Sequence, residues 1–203
     1  MTGGDEDQPP KRRSKRCSGI EIFADFCFYM DLQKEILKEH SKAQTVKIVR
    51  YVGNDPDRFA ELVRVFLNGP YRVTQRTAWP LSICVERHPK IGKPHLKKLV
   101  RNLKQPALHN AVKRNTIRLL QFIEIPRSLH GEVANICFDY LHDNKEAIAV
   151  RAFSMTVLAN IAKTNPDLKR ELIMLLEDIM PYGSAGLVSR ARNTIKQLNK
   201  ETS

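Results

Sequence analysis

The sequence predicts an all-α protein made of stacked helical hairpins. The main observation is an internal repeat: when the 203-residue chain is shifted by 38 positions against itself, four columns remain apolar or nearly apolar without a gap. A fixed period between about 20 and 50 residues is typical of arrays of supersecondary units. The four columns are Leu62, Val100, Phe138 and Leu176; Val65, Leu103, Leu141 and Ile179; Thr74, Val112, Val150 and Val188; and Leu81, Leu119, Val157 and Ile195.

The spacing of these positions within one unit predicts two helices. Leu62 and Val65 are three residues apart. A second group follows at steps of four, three and four residues: Thr74, Ala78, Leu81 and Val85. Both spacings place side chains on one face of an α-helix, and the turn residues Asn68, Gly69 and Pro70 separate the two groups. Because neither helix buries its apolar face alone, the hairpins are expected to stack into an α-solenoid of about five units.

The elements can be placed in order along the chain. Residues 1–19 combine glycine, proline and mixed charges and are expected to be a disordered tail. Its basic run, Lys11 to Arg16, has two interpretations. It is a solvated stretch without a specific role, or it serves as a nuclear-import-type signal or a nucleic-acid tether. Residues 20–203 are predicted to form a single domain that begins with a short cap. A terminal hairpin is predicted over 31–53, followed by full repeats over 56–89, 92–126, 127–166 and 167–198.

The second helix of the third repeat begins with a recognisable pattern. Val150 and Arg151 are followed by Ser154 and Leu158. Hairpins of about this length with such a start resemble the HEAT repeat, and the resemblance covers residues 56–198. It implies a right-handed stack of antiparallel helix pairs whose second helices line the concave side. The resemblance implies a fold much more than an activity.

The pattern is not kept in every copy. Gln75 and Lys113 stand in the column of Arg151, and only Asp143 matches the turn aspartate of the HEAT repeat. The arginine and aspartate positions of the family are therefore matched in one repeat only.

Positive charge is concentrated in one part of the chain. The formal net charge is +12, from 34 Lys and Arg against 22 Asp and Glu. Between Arg87 and Ile123 there is no acidic residue, and this acid-free stretch places most of the excess charge in the second repeat. Its ten cations are Arg87, Lys90, Lys93, Lys97, Lys98, Arg101, Lys104, Lys113, Arg114 and Arg118.

Composition also narrows the cellular setting. No run of 18 apolar residues occurs, so no membrane partner is expected. The four cysteines form no Cys-x-x-Cys pair, and scattered cysteines in a helical protein indicate reduced residues and a cytoplasmic location. Cys84 and Cys137 fall within predicted helices and are expected to pack in the core.

The candidate binding residues lie on the outer face of the second helices. At about 100° per residue from Thr74, position 76 lies at roughly 200°, facing away from the core. Its repeat column reads Arg76, Arg114, Ala152 and Arg190. The predicted binding set is Arg72, Arg76, Trp79, Lys113, Arg114, Arg118 and Arg190. These residues would form a ladder of cations with one tryptophan beside it, although exposed arginines are often plainly solvated and a lone tryptophan often packs between hairpins.

No pattern of residues indicates catalysis. The chain has no glycine-rich phosphate loop, no Gly-x-Ser-x-Gly and no His-Glu-x-x-His, and its histidines do not pair at metal-ligand spacing. HEAT-like DNA alkylation-repair glycosylases are similar in architecture and charge, and they use aromatic residues and a carboxylate beside the DNA. Trp79 has no acid within the following six residues, so the catalytic part of that similarity fails. No enzyme activity, cofactor, metal or small-molecule substrate is expected.

The expected function is therefore a binding scaffold. The first hypothesis is a non-catalytic protein that holds an acidic segment of a partner protein on its concave face. The alternative is a nucleic acid held by phosphate contacts along the basic groove, which would relate the protein to DNA repair.

Overall fold

The computed structural model of the chain describes residues 30–200, and the helices in that range succeed one another as hairpins. The elements are α1 Leu32–Lys38, α2 Lys42–Val52, α3 Pro56–Asn68, α4 Tyr71–Arg87, α5 Pro89–Gly92, a 3-10 turn Lys93–His95, α6 Leu96–Asn102, α7 Asn110–Leu120, α8 Arg127–His142, α9 Ile148–Ala162, α10 Pro166–Ile179, a 3-10 turn Met180–Tyr182 and α11 Ala185–Lys200. No strand occurs in this range, and the predicted all-α class is confirmed. The predicted tail and nearly all of the predicted cap lie outside the described residues.

Several helices begin at a side chain that accepts hydrogen bonds from the free backbone N–H groups of the first turn. The Ser41 hydroxyl accepts from the amide of Gln44 at 3.1 Å, at the start of α2. A carboxylate oxygen of Asp55 accepts from the first-turn amides of α3 at 2.9 and 3.0 Å. Pro56 follows Asp55 and Pro166 follows the capping Asn165, in the first helical position where a missing N–H costs nothing.

The second helices of the hairpins form a continuous stack. α2 packs on α4, α4 on α7, α7 on α9 and α9 on α11. Three pairs join α4 to α7 along their length: Gln75 with His109 at 3.4 Å, Ser82 with Asn115 at 3.3 Å, and Glu86 with Arg118 at 2.6 Å. The sequence separations of these pairs are 34, 33 and 32 residues, so the two helices run parallel and in register. Side chains at equivalent repeat positions therefore point to the same side of the stack.

The repeat columns provide the core of this stack. Leu62, Val100 and Leu176 are fully buried, and Phe138 is 9% exposed. The small-residue column of the second helices is also buried, with Ala78, Thr116 and Ser154 at its three positions. Only a few column members are half-buried, namely Val65, Thr74, Val188 and Ile195.

The first helix of the second full repeat is broken into α5, a 3-10 turn and α6. Pro89 and Pro94 begin two of these pieces, since each fixes its φ angle and donates no hydrogen bond. Gly92 between them is buried, and a Cβ there would lie 3.0 Å from methyl carbons of Val85 and Ile123. The bend therefore brings the α5 backbone close to the second helices, and α6 continues the first-helix layer to α8.

Removal of a core column residue should destabilise the whole stack. We expect Leu62→Ala to lower the free energy of unfolding by about 2–5 kcal/mol, because it deletes buried methyl groups and leaves a cavity. Met174→Ala is the matched control: this side chain is 70% exposed, and its loss should change the free energy by less than about 0.5 kcal/mol. Urea unfolding followed by circular dichroism measures both, and equal effects would contradict the stacked core.

Candidate functional site

The predicted binding residues all lie on second helices. Arg72, Arg76 and Trp79 are on α4, Lys113, Arg114 and Arg118 on α7, and Arg190 on α11. All are exposed or half-exposed. We call the surface formed by these residues, together with Ile83, the second-helix face. The structure divides its cations into residues that are engaged within the chain and residues that are not.

Arg76 contacts the C-terminal end of α1 and so has a structural role. Its Nη1 donates to the carbonyl oxygen of Leu37 at 2.9 Å and lies 3.5 Å from that of Ile36. These carbonyls belong to the last turn of α1, which has no intrahelical partners for them and carries partial negative charge. Arg76 therefore holds the short α1 against α4, a role that differs from the free ladder cation expected from its position in the repeat.

Lys113 neutralises a buried carboxylate. Its Nζ lies 2.6 Å from Oε2 of Glu146, whose side chain is only 3% exposed, and 5.5 Å from the centre of the Tyr140 ring. The second oxygen of Glu146 accepts from the amide of Ala147 at 3.0 Å. Burial, and after it the Glu146 charge, raises the pKa of Tyr140, so that phenol stays neutral. Lys113 thus joins α7 to the turn that precedes α9.

Arg118 is also paired, but at the surface. Its Nη2 lies 2.6 Å from Oε2 of Glu86 on α4, and the two side chains are 27% and 37% exposed. Such a pair adds little stability because water screens it. Glu86 is the acid nearest to Trp79 in the following sequence, and its engagement with Arg118 leaves no free carboxylate on this part of α4.

The remaining cations of the second-helix face have no partner within residues 30–200. The side chains of Arg72, Arg114 and Arg190 are exposed and make no hydrogen bond or ion pair within residues 30–200. Trp79 is half-buried and lies seven residues after Arg72, on the same stripe of α4. Ile83, half-buried one turn later, extends this stripe and packs partly against the core. The face therefore offers an apolar strip with separate guanidinium groups beside it.

Potential reactive groups elsewhere are inert. Cys84 and Cys137 are free, buried thiols in the core, and burial raises the pKa of each to about 12. Both are therefore protonated at neutral pH and are poor nucleophiles.

Within residues 30–200, no group of three His, Cys, Asp or Glu residues is arranged to hold a metal ion. None of the helices in that range has the length and apolar character needed to cross a bilayer.

The structure also contains a cleft that sequence reasoning missed. It has a volume of about 510 Å³ and lies at the C-terminal ends of α7 and α9. Phe122 and Ile125 supply apolar lining, while His130 is fixed by a 2.8 Å contact to the carbonyl of Ile125. The cleft arises where one inter-repeat loop meets the next hairpin, so no spacing in the sequence indicates it.

The fold defines the class of protein as an all-α solenoid of stacked helical hairpins. A family model described as "HEAT repeat domain" matches residues 32–198, and the chain belongs to the HEAT-repeat family. The match includes the terminal hairpin, which lies outside the 38-residue register. HEAT repeats generally serve as scaffolds for protein interactions. Among curated proteins, none matches this sequence.

The two ion pairs of α7 should differ greatly in their effect on stability. Lys113→Met leaves the buried Glu146 carboxylate unpaired, and we expect a loss of about 3 kcal/mol in unfolding free energy. Arg118→Met breaks a surface pair and should cost less than about 1 kcal/mol. The double variant Lys113→Met with Glu146→Gln should recover most of the loss. Chemical denaturation measures all three, and equal losses for the two single variants would show that Glu146 is not a buried charge.

Proposed function

We propose that this protein is a non-catalytic scaffold that binds an acidic segment of a partner protein along its second-helix face. The observation that carries the proposal is the stripe on α4, where Trp79 and Ile83 continue the line of Arg72. Tryptophan and arginine are the residues most enriched at the energetic centres of protein interfaces. Arg114, unpaired on the neighbouring α7, borders the same stripe.

The spacing of the free cations suits an extended peptide. Neighbouring second helices lie about 10 Å apart, so the three steps from α4 through α7 and α9 to α11 cover roughly 30 Å. About nine extended residues span that distance. Ala152 on α9 interrupts the series between Arg114 and Arg190. We therefore infer a ligand with an apolar side chain near Trp79 and acidic residues placed toward Arg114 and Arg190.

A phosphate backbone is less well matched to this face. Lys113, Arg118 and Arg76 already contact groups of the chain itself, so half of the predicted cations are engaged. Affinity for nucleic acid depends on the number of cations that can replace counterions at the phosphates. An apolar strip adds to a protein interface and contributes little to phosphate contacts.

Peptide selection tests the proposal. Peptides of about 12 residues, roughly 40 Å when extended, should be selected from a random displayed library with both acidic and apolar residues. The double variant Trp79→Ala, Arg114→Glu should weaken their binding by about 30-fold or more, since a central tryptophan contributes about 2 kcal/mol or more. Fluorescence anisotropy with labelled peptides measures the Kd.

The matched control is Tyr182→Ala with Arg64→Glu, which removes an aromatic residue that is 88% exposed and reverses an exposed arginine on α3, in the first-helix layer. It should leave the Kd within about threefold, as expected for distant surface changes. An unchanged Kd for the Trp79 and Arg114 variant, with unchanged helicity, would refute the proposal. Binding of duplex DNA that this variant abolishes would assign the face to nucleic acid instead.

A further inference from the structure

A group of four uncompensated cations lies in the first-helix layer. The three exposed side chains of α6 are all cations. The one exposed side chain of α5 is also a cation. We call these four residues the α6 basic patch: Lys90, Lys97, Lys98 and Arg101. Leu96, Leu99 and Val100 bury the opposite side of α6, so the charges point outward from the stack.

The fold pairs other cations of the acid-free stretch but not these. Four of its ten cations reach an acid about one repeat away: Lys93 to Glu124 at 2.8 Å, Lys104 to Glu132 at 2.7 Å, Lys113 to Glu146 and Arg118 to Glu86 each at 2.6 Å. None of the four patch cations has a carboxylate within 4.0 Å among residues 30–200. Six of the ten cations are thus unpaired among the described residues, and four of those six lie in this patch.

The arrangement of the patch favours several contacts at once. Lys97 and Arg101 are one helical turn apart, which corresponds to about 6 Å along α6. Lys98 points about 100° around the helix from Lys97, so the cations spread over roughly a third of the circumference. Cations arranged in this way can contact more than one phosphate of a single nucleic-acid backbone.

The chemistry of the surrounding surface discriminates between partners. The large apolar side chains that are exposed within residues 30–200 lie on other elements: Leu37, Tyr71, Phe122, Ile148, Met174 and Tyr182. α3, α5 and α6 thus present no aromatic or aliphatic anchor of the kind that membrane surfaces and protein interfaces use. Phosphate groups need only positioned cations, whose binding releases condensed counterions.

We propose that the α6 basic patch binds the phosphate backbone of a nucleic acid without reading its bases. This site goes beyond the proposed protein-binding function, because it lies on different helices and uses different residues. The protein would then hold a peptide segment through its second helices and a nucleic acid through α5 and α6.

Salt-dependent binding tests the proposal on the full chain. A fluorescein-labelled DNA duplex of about 20 base pairs and random sequence should bind with a slope of log K against log salt of about −3.6, since four cations contribute about 0.9 each. Affinity should therefore fall on the order of 100-fold between about 50 and about 200 mM NaCl. A second duplex of unrelated sequence should bind equally well, because phosphates carry no sequence information.

Charge reversal locates the site. The variant Lys97→Glu, Lys98→Glu, Arg101→Glu should lose duplex binding by on the order of 100-fold at low salt. The matched control is Arg192→Glu, Lys196→Glu, Lys200→Glu on α11, which changes the net charge equally at three exposed positions. It should lose less than about tenfold, through the long-range field alone. The milder Lys97→Gln, Lys98→Gln, Arg101→Gln variant should lower the slope by about 3 and keeps the test valid if the reversal disturbs folding.

His95 provides a local readout beside the patch. Burial lowers its pKa first, and repulsion from Lys98 lowers it further. The ring packs edge-on against Phe59, with the ring centres 5.5 Å apart. A bound phosphate backbone should offset the Lys98 charge and raise the pKa of His95, which NMR titration of the ring protons measures. The α11 control variant should show the same rise.

Several results would overturn the proposal. These are no duplex binding at low salt, equal losses for the α6 and α11 reversals, or an unchanged His95 pKa in the presence of saturating duplex. Displacement of the duplex by polyglutamate at equal charge concentration would assign the patch to an acidic protein. The two proposed sites can fail separately: the α6 reversal should weaken peptide binding by less than about tenfold, through the long-range field alone, and Trp79→Ala with Arg114→Glu should have the same limited effect on duplex binding.

Discussion

The packing of one second helix on the next is the interaction on which the rest of the structure depends. Neither helix of a hairpin can bury its apolar side alone, and the stack removes that surface from water. The small side chains Ala78, Thr116 and Ser154 are buried at equivalent positions of α4, α7 and α9. Because α4 and α7 run parallel with a nearly constant offset of about 33 residues, outward-facing side chains also fall into rows. The register of the core therefore sets the geometry of the second-helix face.

The same register explains why some second-helix cations are structural. Arg76 donates to the end of α1, and Arg151 donates to the carbonyl of Leu141 at 3.0 Å, at the end of α8. In both cases a guanidinium group satisfies carbonyls that the helix end leaves free. Arg114 shares the repeat position of Arg76 but has no such partner among the described residues. The difference arises because α1 has only seven residues and belongs to a hairpin outside the 38-residue register, which brings its end beside Arg76.

The repeat made the fold predictable. Apolar side chains recur every 38 residues at Leu62, Val100, Phe138 and Leu176, and this recurrence already implied that they are buried in successive layers. Whether each cation is ion-paired or unpaired was not predictable in the same way. Lys113 and Glu146 are 33 residues apart, and Arg118 and Glu86 are 32 apart, so their pairing depends on how neighbouring hairpins rotate against each other. Counting charges along the chain found the acid-free stretch correctly, but only the packing separates its paired cations from its free ones.

The separation of paired from free cations has an energetic meaning. Like charges one turn apart on a helix, such as Lys97 and Arg101, repel each other by a few tenths of a kcal/mol. Elsewhere in the second repeat, acids brought close by the fold offset the positive charges: Glu124 of the same repeat pairs with Lys93, and Glu132 of the next repeat pairs with Lys104. On α6 no described acid does so, and the repulsion is left for an external anion to relieve. A polyanion would gain both from counterion release and from this unrelieved repulsion, whereas an apolar partner would gain from neither.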